Sequence, residues 1–159
     1  PNFKLFREIT TEDFFNRINK NFSSQDLYIS AAAISDIKFS KSKGKLKKDQ
    51  FTGQLEYNTD TDILKEMIKI KHPNQKIIGF AAETQFEHNE LQEKWNRKPV
   101  DLLIATKVHN GSGKSQGEGF GDVKANYQLY ENNKIYLNAN LSKKELSAEV
   151  TKWADQWFN

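Results

Sequence analysis

No cysteine occurs in the chain. Disulfides, thiolate metal sites and cysteine nucleophiles are thereby excluded, and the composition fits a reducing, cytoplasmic setting. No apolar run approaches the ~20 residues that cross a bilayer, and no leader pattern opens the chain, so no membrane partner is expected. Histidine is limited to His72, His88 and His109. Their spacing fits no metal-ligand pattern, and no Ser/His/Asp set can be assembled around them, so no protein-held metal is expected. Proline is scarce, no Pro/Gly-rich linker divides the chain, and no segment repeats, which predicts a single domain over 1–159.

What is present is a polar chain with enough apolar matter for one core. Its 159 residues are 36% hydrophobic and 12% aromatic, and the net charge is only +3. That charge is uneven. The stretch "KFSKSKGKLKK" holds Lys38, Lys41, Lys43, Lys45, Lys47 and Lys48 without one acid. If this stretch is extended, Lys41, Lys43, Lys45 and Lys47 point to one side, which suits polyphosphate or plain water. A nucleic-acid binder could pair such lysines with stacking Tyr and Trp, but 21 acids spread through the chain weigh against it, so no nucleic-acid partner is expected. The chain opens at Pro1 without an initiator Met, as a processed protein or a piece of a longer one would.

"NFKLFREI" (2–9) alternates as a strand does. In "TTEDFFNRINKNF", Phe14, Ile18 and Phe22 form one helical stripe, with Thr10 or Thr11 as cap. "DLYISAAA" predicts a second strand, the lysine-rich segment a flap or loop, "FTGQLEYN" (51–58) a strand, and "TDILKEMIKIK" a short helix with Ile63, Leu64, Met67 and Ile68 inward. "QKIIGFAAE" and "VDLLIA" read as buried strands flanking a helix, "HNELQEKWNRK". "NYQLYENNKIYLN" predicts a hairpin turning at Asn132-Asn133. Ser142 and Glu145 form a capping box for a last helix whose inward stripe is Leu146, Val150, Trp153 and Trp157. Strands alternating with helices imply a parallel sheet covered on both faces. Ligands in such sheets bind beyond the carboxyl ends of the strands.

One motif points to a phosphate loop. "NGSGKS" (110–115) follows a strand and ends in Lys114-Ser115, but G-x-x-x-x-G-K-[ST] requires glycine where Val108 stands. No helix follows at once to help hold phosphate. A surface loop with a dispensable Lys114 is the better reading.

The strand ends carry more. "SAAAISD" offers small side chains and then Asp36, a carboxylate able to accept from a ribose or base; helix packing and capping explain the same residues. "GFAAET" repeats the pattern, with Phe80 placed either against a sugar or base or in the core. Lys94 and Lys98 share a helix face at i,i+4 and repel mildly unless an anion joins them; a solvated face with Glu90 beside Lys94 is the alternative.

In order, "SAAAISD", "KLKK", "TDIL", "IIGFAAET", the lysine pair, "DLLIA", "GFGD" and "SKKEL" resemble phosphopantothenoylcysteine synthetase (phosphopantothenate–cysteine ligase), in bacteria usually the C-terminal half of a bifunctional coenzyme A biosynthesis flavoprotein. The resemblance runs from about Ser30 to Ser147. It implies an α/β fold: a three-layer, Rossmann-like, mostly parallel sheet with a lysine-rich flap and a C-terminal hairpin, forming a partial CTP-binding ligase domain. It implies activation of 4′-phosphopantothenate by CTP to an acyl-cytidylate, assisted by Mg2+, and then amide formation with cysteine. FMN would belong only to a separate decarboxylase domain of a bifunctional parent. By the same resemblance, Ser30, Ala31, Ala32 and Asp36 line the nucleotide pocket. Lys45 is the catalytic flap lysine, Thr61, Asp62, Ile63 and Leu64 surround cytidine, Phe80 touches the nucleotide, and Lys94 and Lys98 hold phosphates. A homodimer is implied too. A non-catalytic nucleotide-binding or interaction module of the same fold is the alternative.

Three departures stand out. The family has Asn-Pro-Asp-Ile where this chain has Asp60-Thr61-Asp62-Ile63, so a proline-fixed turn is lost. Its Ala-Asn is Ala105-Thr106 here. The family's opening strand, glycine-rich turn and helix are absent from this chain, and with them the asparagine tied to the cysteine step. The 159 residues alone are therefore expected not to complete the ligase reaction. The absent strands would lie between "FKLFREI" and "DLYIS".

Overall fold

The structure, a computed structural model, describes residues 3–40, 44, 56–84, 88–108 and 124–158. The chain folds into two compact units, one of residues 1–25 and 32–72, the other of 26–31 and 73–159.

The second unit holds a five-stranded sheet. Its strands are β1 (Leu27–Ser30), β4 (Lys76–Glu83), β5 (Leu102–Lys107), β6 (Ala125–Glu131) and β7 (Lys134–Leu141), in the order β1-β4-β5-β6-β7. β1, β4 and β5 run parallel, while β6 and β7 are antiparallel additions at one side. Helix α4 (Lys143–Phe158) covers one face: Leu146 and Trp153 are buried with Ile78, Leu102, Ile104, Tyr127 and Leu129. Successive strand residues face opposite ways, so Glu83 points away from Ile78. It pairs with Lys94 of α3 (His88–Arg97), which puts α3 on the other face and makes three layers. The expected α/β architecture with its C-terminal hairpin is present. The hairpin turns at Asn132 and Asn133, both at positive φ (47° and 61°), as a two-residue primed turn requires.

The capping box of α4 forms as expected. Ser142 N–H donates to Glu145 at 2.7 Å and Glu145 N–H to the Ser142 hydroxyl at 3.2 Å. The stripe it begins stops short of Trp157, which is 46% exposed. That ring has left the sheet face and instead lies 3.4 Å beneath the Lys76 ammonium, a cation–π contact. Lys76 also faces Asp101 at 3.6 Å, and Asp101 accepts from Ile77 N–H at 2.7 Å, tying together the starts of β4 and β5.

The first unit contains α1 (Thr11–Phe22), a two-stranded antiparallel ribbon of β2 (Ile37–Phe39) and β3 (Tyr57–Thr59), and α2 (Ile63–Ile70). Thr10 caps α1, accepting from Asp13 N–H at 3.1 Å. Phe22, Ile63 and Met67 are buried. The strand expected at 2–9 does not form: among the described residues nothing pairs with it, and an unpaired strand leaves its backbone groups unsatisfied. Instead Glu8 accepts from Arg17 of α1 at 2.8 Å and Phe6 lies under the same guanidinium, while Phe3 and Leu5 are exposed. The strand from "DLYISAAA" ends at Ser30, before the alanines. Of "FTGQLEYN" only its end lies in β3; Phe51–Leu55 lie outside the described residues. The flap reading is corrected at its start, since Lys38 belongs to β2 and pairs with Asn58.

Candidate functional site

The carboxyl ends of the parallel strands gather one set of expected residues in the sheet unit. Ser30 stands opposite Gly79 in the β1–β4 register, which brings Ser30 and Ala31 beside Phe80. Phe80 is 38% exposed rather than packed in the core. The Ser30 side chain hydrogen-bonds Tyr28, two residues back on the same face, and burial pushes the Tyr28 hydroxyl above its ordinary range against that bond.

Lys94 is part-exposed and already has an anionic partner. It holds the Glu83 carboxylate, which is nearly buried at the end of β4. A carboxylate taken out of water needs such a partner. Lys98 lies just past α3, its N–H closing the last turn onto the Lys94 carbonyl at 3.0 Å.

A second set lies in the ribbon unit. Asp36 opens β2, and its carbonyl accepts from Asp60 N–H at 2.9 Å. The Asp60 carboxylate accepts from Thr61 N–H at 2.8 Å. Thr61 N–H, then the Thr11 side chain and Lys38, hold Asp60 below the usual carboxylate range, against a small opposing effect of burial. Asp62 caps α2 by accepting from Lys65 N–H at 3.1 Å. Ile63 is 2% exposed and Leu64 half-buried, so these two serve the interior and Thr61 faces solvent.

Two clefts adjoin these residues and share Ile9, Thr10, Thr11 and Ser35 as a common wall. One, of about 540 Å³, is also lined by Lys38, Asn58 and Asp60. The other, of about 370 Å³, is also lined by Ala32, Ala33 and Phe14. Of the expected pocket residues described in this unit, Ala32 lines one of these two clefts and Asp36 neither. The two sets belong to different units. Lys45, its flap neighbours Lys41, Lys43, Lys47 and Lys48, and the loop Asn110–Ser115 lie outside the described residues. Among the described residues, no three His, Asp or Glu side chains are placed to hold a metal ion.

Sequence reasoning missed Glu83, Tyr28 and the Thr11–Asp60 pair. Glu83 stood inside the quoted "GFAAET", but its partner is eleven positions away on a different element. Thr11 and Asp60 are farther apart still, and no periodicity joins them.

Comparison with known proteins bears on this arrangement. The model of the DNA/pantothenate metabolism flavoprotein C-terminal domain family matches residues 1–157. A cysteine/cysteine sulfinic acid decarboxylase from an unknown prokaryotic organism is 30% identical over 138 residues, covering 84% of this chain and 35% of that protein. The coenzyme A biosynthesis bifunctional protein CoaBC of Bacillus subtilis (strain 168) is 35% identical over 101 residues, covering 63% of this chain and 23% of its own. The chain spans about a third or less of the length of these relatives. The crystal structure of the C-terminal domain of a CoaBC protein superposes with a TM-score of 0.65 at 21% identity, covering 92% of this chain and 62% of that one, a likeness of fold.

Proposed function

The chain belongs to the DNA/pantothenate metabolism flavoprotein C-terminal domain family, and on that premise we propose that it is the CTP-binding portion of a phosphopantothenate–cysteine ligase acting in coenzyme A biosynthesis. The observation that carries the reading is the alignment of Ser30 with Gly79 at the carboxyl ends of two parallel strands, with half-exposed Phe80 next in line. That is where an α/β sheet takes its ligand. Similarity to a coenzyme A biosynthesis protein supports a ligand from that chemistry, and CTP is our reading of it from the motif resemblance.

In this reading a carboxylate oxygen of 4′-phosphopantothenate attacks the α-phosphorus of CTP. A P–O bond forms, the α–β bridge breaks and pyrophosphate leaves; the cysteine amine then displaces CMP from the acyl carbon. The protein's task is positioning and charge stabilisation. In the sheet unit Phe80 packs on the nucleotide and Lys98 meets the phosphates; the resemblance adds Asp36 as an acceptor for ribose or base and Lys45 as a phosphate lysine. Lys94 joins them by exchanging Glu83 for phosphate. Magnesium would travel with the triphosphate. A second copy of the chain completes the proposed assembly.

Titration calorimetry of the chain with CTP and with ATP tests this. CTP should bind in preference, Lys45→Ala should weaken it by about tenfold, the worth of one charge-assisted contact, and Lys114→Ala should leave it unchanged. Absence of binding, or equal affinity for both nucleotides, overturns the reading.

A further inference from the structure

We propose that Asp60 is a positioning residue that fixes the turn into the Thr61–Leu64 segment and locks it to the Asp36 loop. The inference deepens the nucleotide-site reading above and rests on it for its ligand.

Asp60 follows the last paired residue of β3, Thr59, which stands opposite Ile37. Its N–H donates to the Asp36 carbonyl at 2.9 Å, extending the ribbon by one bond onto the residue expected to meet the nucleotide. Its carboxylate accepts from Thr61 N–H at 2.8 Å and from the Thr11 side chain at the start of α1. One residue thus joins three chain segments distant in sequence: the entry to β2, the first residue of α1 and the run into α2. Asp60 itself lines the larger cleft, together with Thr11 and with Ser35, Ile37 and Lys38 beside the entry to β2.

The chemistry explains why an aspartate stands here. A proline at the next position would fix φ and carry no N–H. Thr61 does neither. It adds a backbone donor at a turn, and a wider range of φ. The Asp60 carboxylate takes up that donor, which belongs to the very next residue, and Lys38 favours its charged form. Asp62, two residues on, also accepts from a backbone donor by capping Lys65 N–H. Two aspartates in three residues therefore do by hydrogen bonding what a proline ring does covalently. Asp60 acts through Thr61 and Asp36 and needs no contact with the ligand.

The test is a rescue. Asp60→Ala leaves Thr61 N–H without its acceptor and should weaken CTP binding by about tenfold in calorimetry. Asp60→Asn keeps an acceptor oxygen and should stay within about threefold of the parent chain. In the double variant Asp60→Ala/Thr61→Pro the donor is gone and φ is fixed again, so binding should return to within about threefold. Proline asks for an extended residue before it, and Asp60 directly follows β3. Hydrogen–deuterium exchange without nucleotide provides a second readout. Amides of residues 62–66 should exchange faster in Asp60→Ala and recover in the double variant. Undiminished CTP binding by Asp60→Ala, or failure of proline to restore it, overturns the proposal. If the parent chain binds no CTP, the ligand reading fails by itself, and unchanged exchange in Asp60→Ala then overturns this inference independently.

Discussion

Lys94 shows how far a single residue can be read from sequence. Its i,i+4 partner Lys98 called for an anion, and the fold supplies one in Glu83, near-buried at the end of β4. Which anion comes first decides a measurable outcome. If Lys94 serves a triphosphate, Glu83→Gln removes its competitor and should raise CTP affinity about three- to tenfold, while Lys94→Ala should lower it. Calorimetry at low and high salt checks both, because phosphate contacts weaken as screening rises. Unchanged affinity in the two variants would show that Lys94 is purely a partner for Glu83. Trp153 is plainer. It is fully buried against the sheet, and its indole N–H donates to Glu131 at 2.7 Å. Trp153→Ala should cost about 3–5 kcal/mol in chemical denaturation. The stripe containing Trp153 was legible because a helix repeats its face every few residues. Glu83 was not, because its partner is set by the crossing of a strand and a helix.

Elements whose signals are local are legible in the sequence. The Asn132-Asn133 turn needs two positive φ angles, and Asn tolerates them where a branched residue does not. Asn133→Val should therefore destabilise the hairpin by about 1–2 kcal/mol. Asn133→Gly should hold or raise the melting temperature, since the buried Asn133 Oδ1 has no partner among the described residues. The cap of α4 has a pH signature. Ser142 N–H, then the Ser142 hydroxyl and Lys124, pull Glu145 from 4.5 to about 2. A carboxylate with a lowered folded pKa stabilises above its unfolded value and loses that contribution as pH falls through the folded one. The stability of α4 should thus decline between about pH 4.5 and 2, and Glu145→Gln should flatten that limb of a melting-temperature profile. Strands were less legible. "NFKLFREI" has the right alternation, but a strand exists only beside another, and Arg17 recruits Glu8 and Phe6 to α1 instead. β2 was hidden for the opposite reason: three exposed residues in a lysine-rich stretch show no buried face, and pairing with β3 alone defines them.

For the molecule as a whole, the alternation of strands and helices predicted a parallel sheet, and β1, β4 and β5 form one. The division into two units was invisible, because no linker composition marks it. The chain leaves the sheet after Ala31 and returns at Pro73, and only spatial proximity separates what lies between. Stability should divide similarly. β4, β5 and β6 are flanked on both edges and largely buried, whereas both strands of the ribbon are exposed throughout. Native-state hydrogen exchange should find the slowest amides in the three central strands and the fastest in β2 and β3. The three tryptophans carry a further consequence. Trp95, whose indole N–H meets the Val100 carbonyl, Trp153 in the core and Trp157 under Lys76 all belong to the sheet unit. The ribbon unit has none. Intrinsic indole emission is therefore a spectroscopic probe blind to one half of the chain. A fluorescence melt follows the sheet, circular dichroism also sees α1 and α2, and any gap between the two curves is the optical signature of the ribbon unit melting by itself.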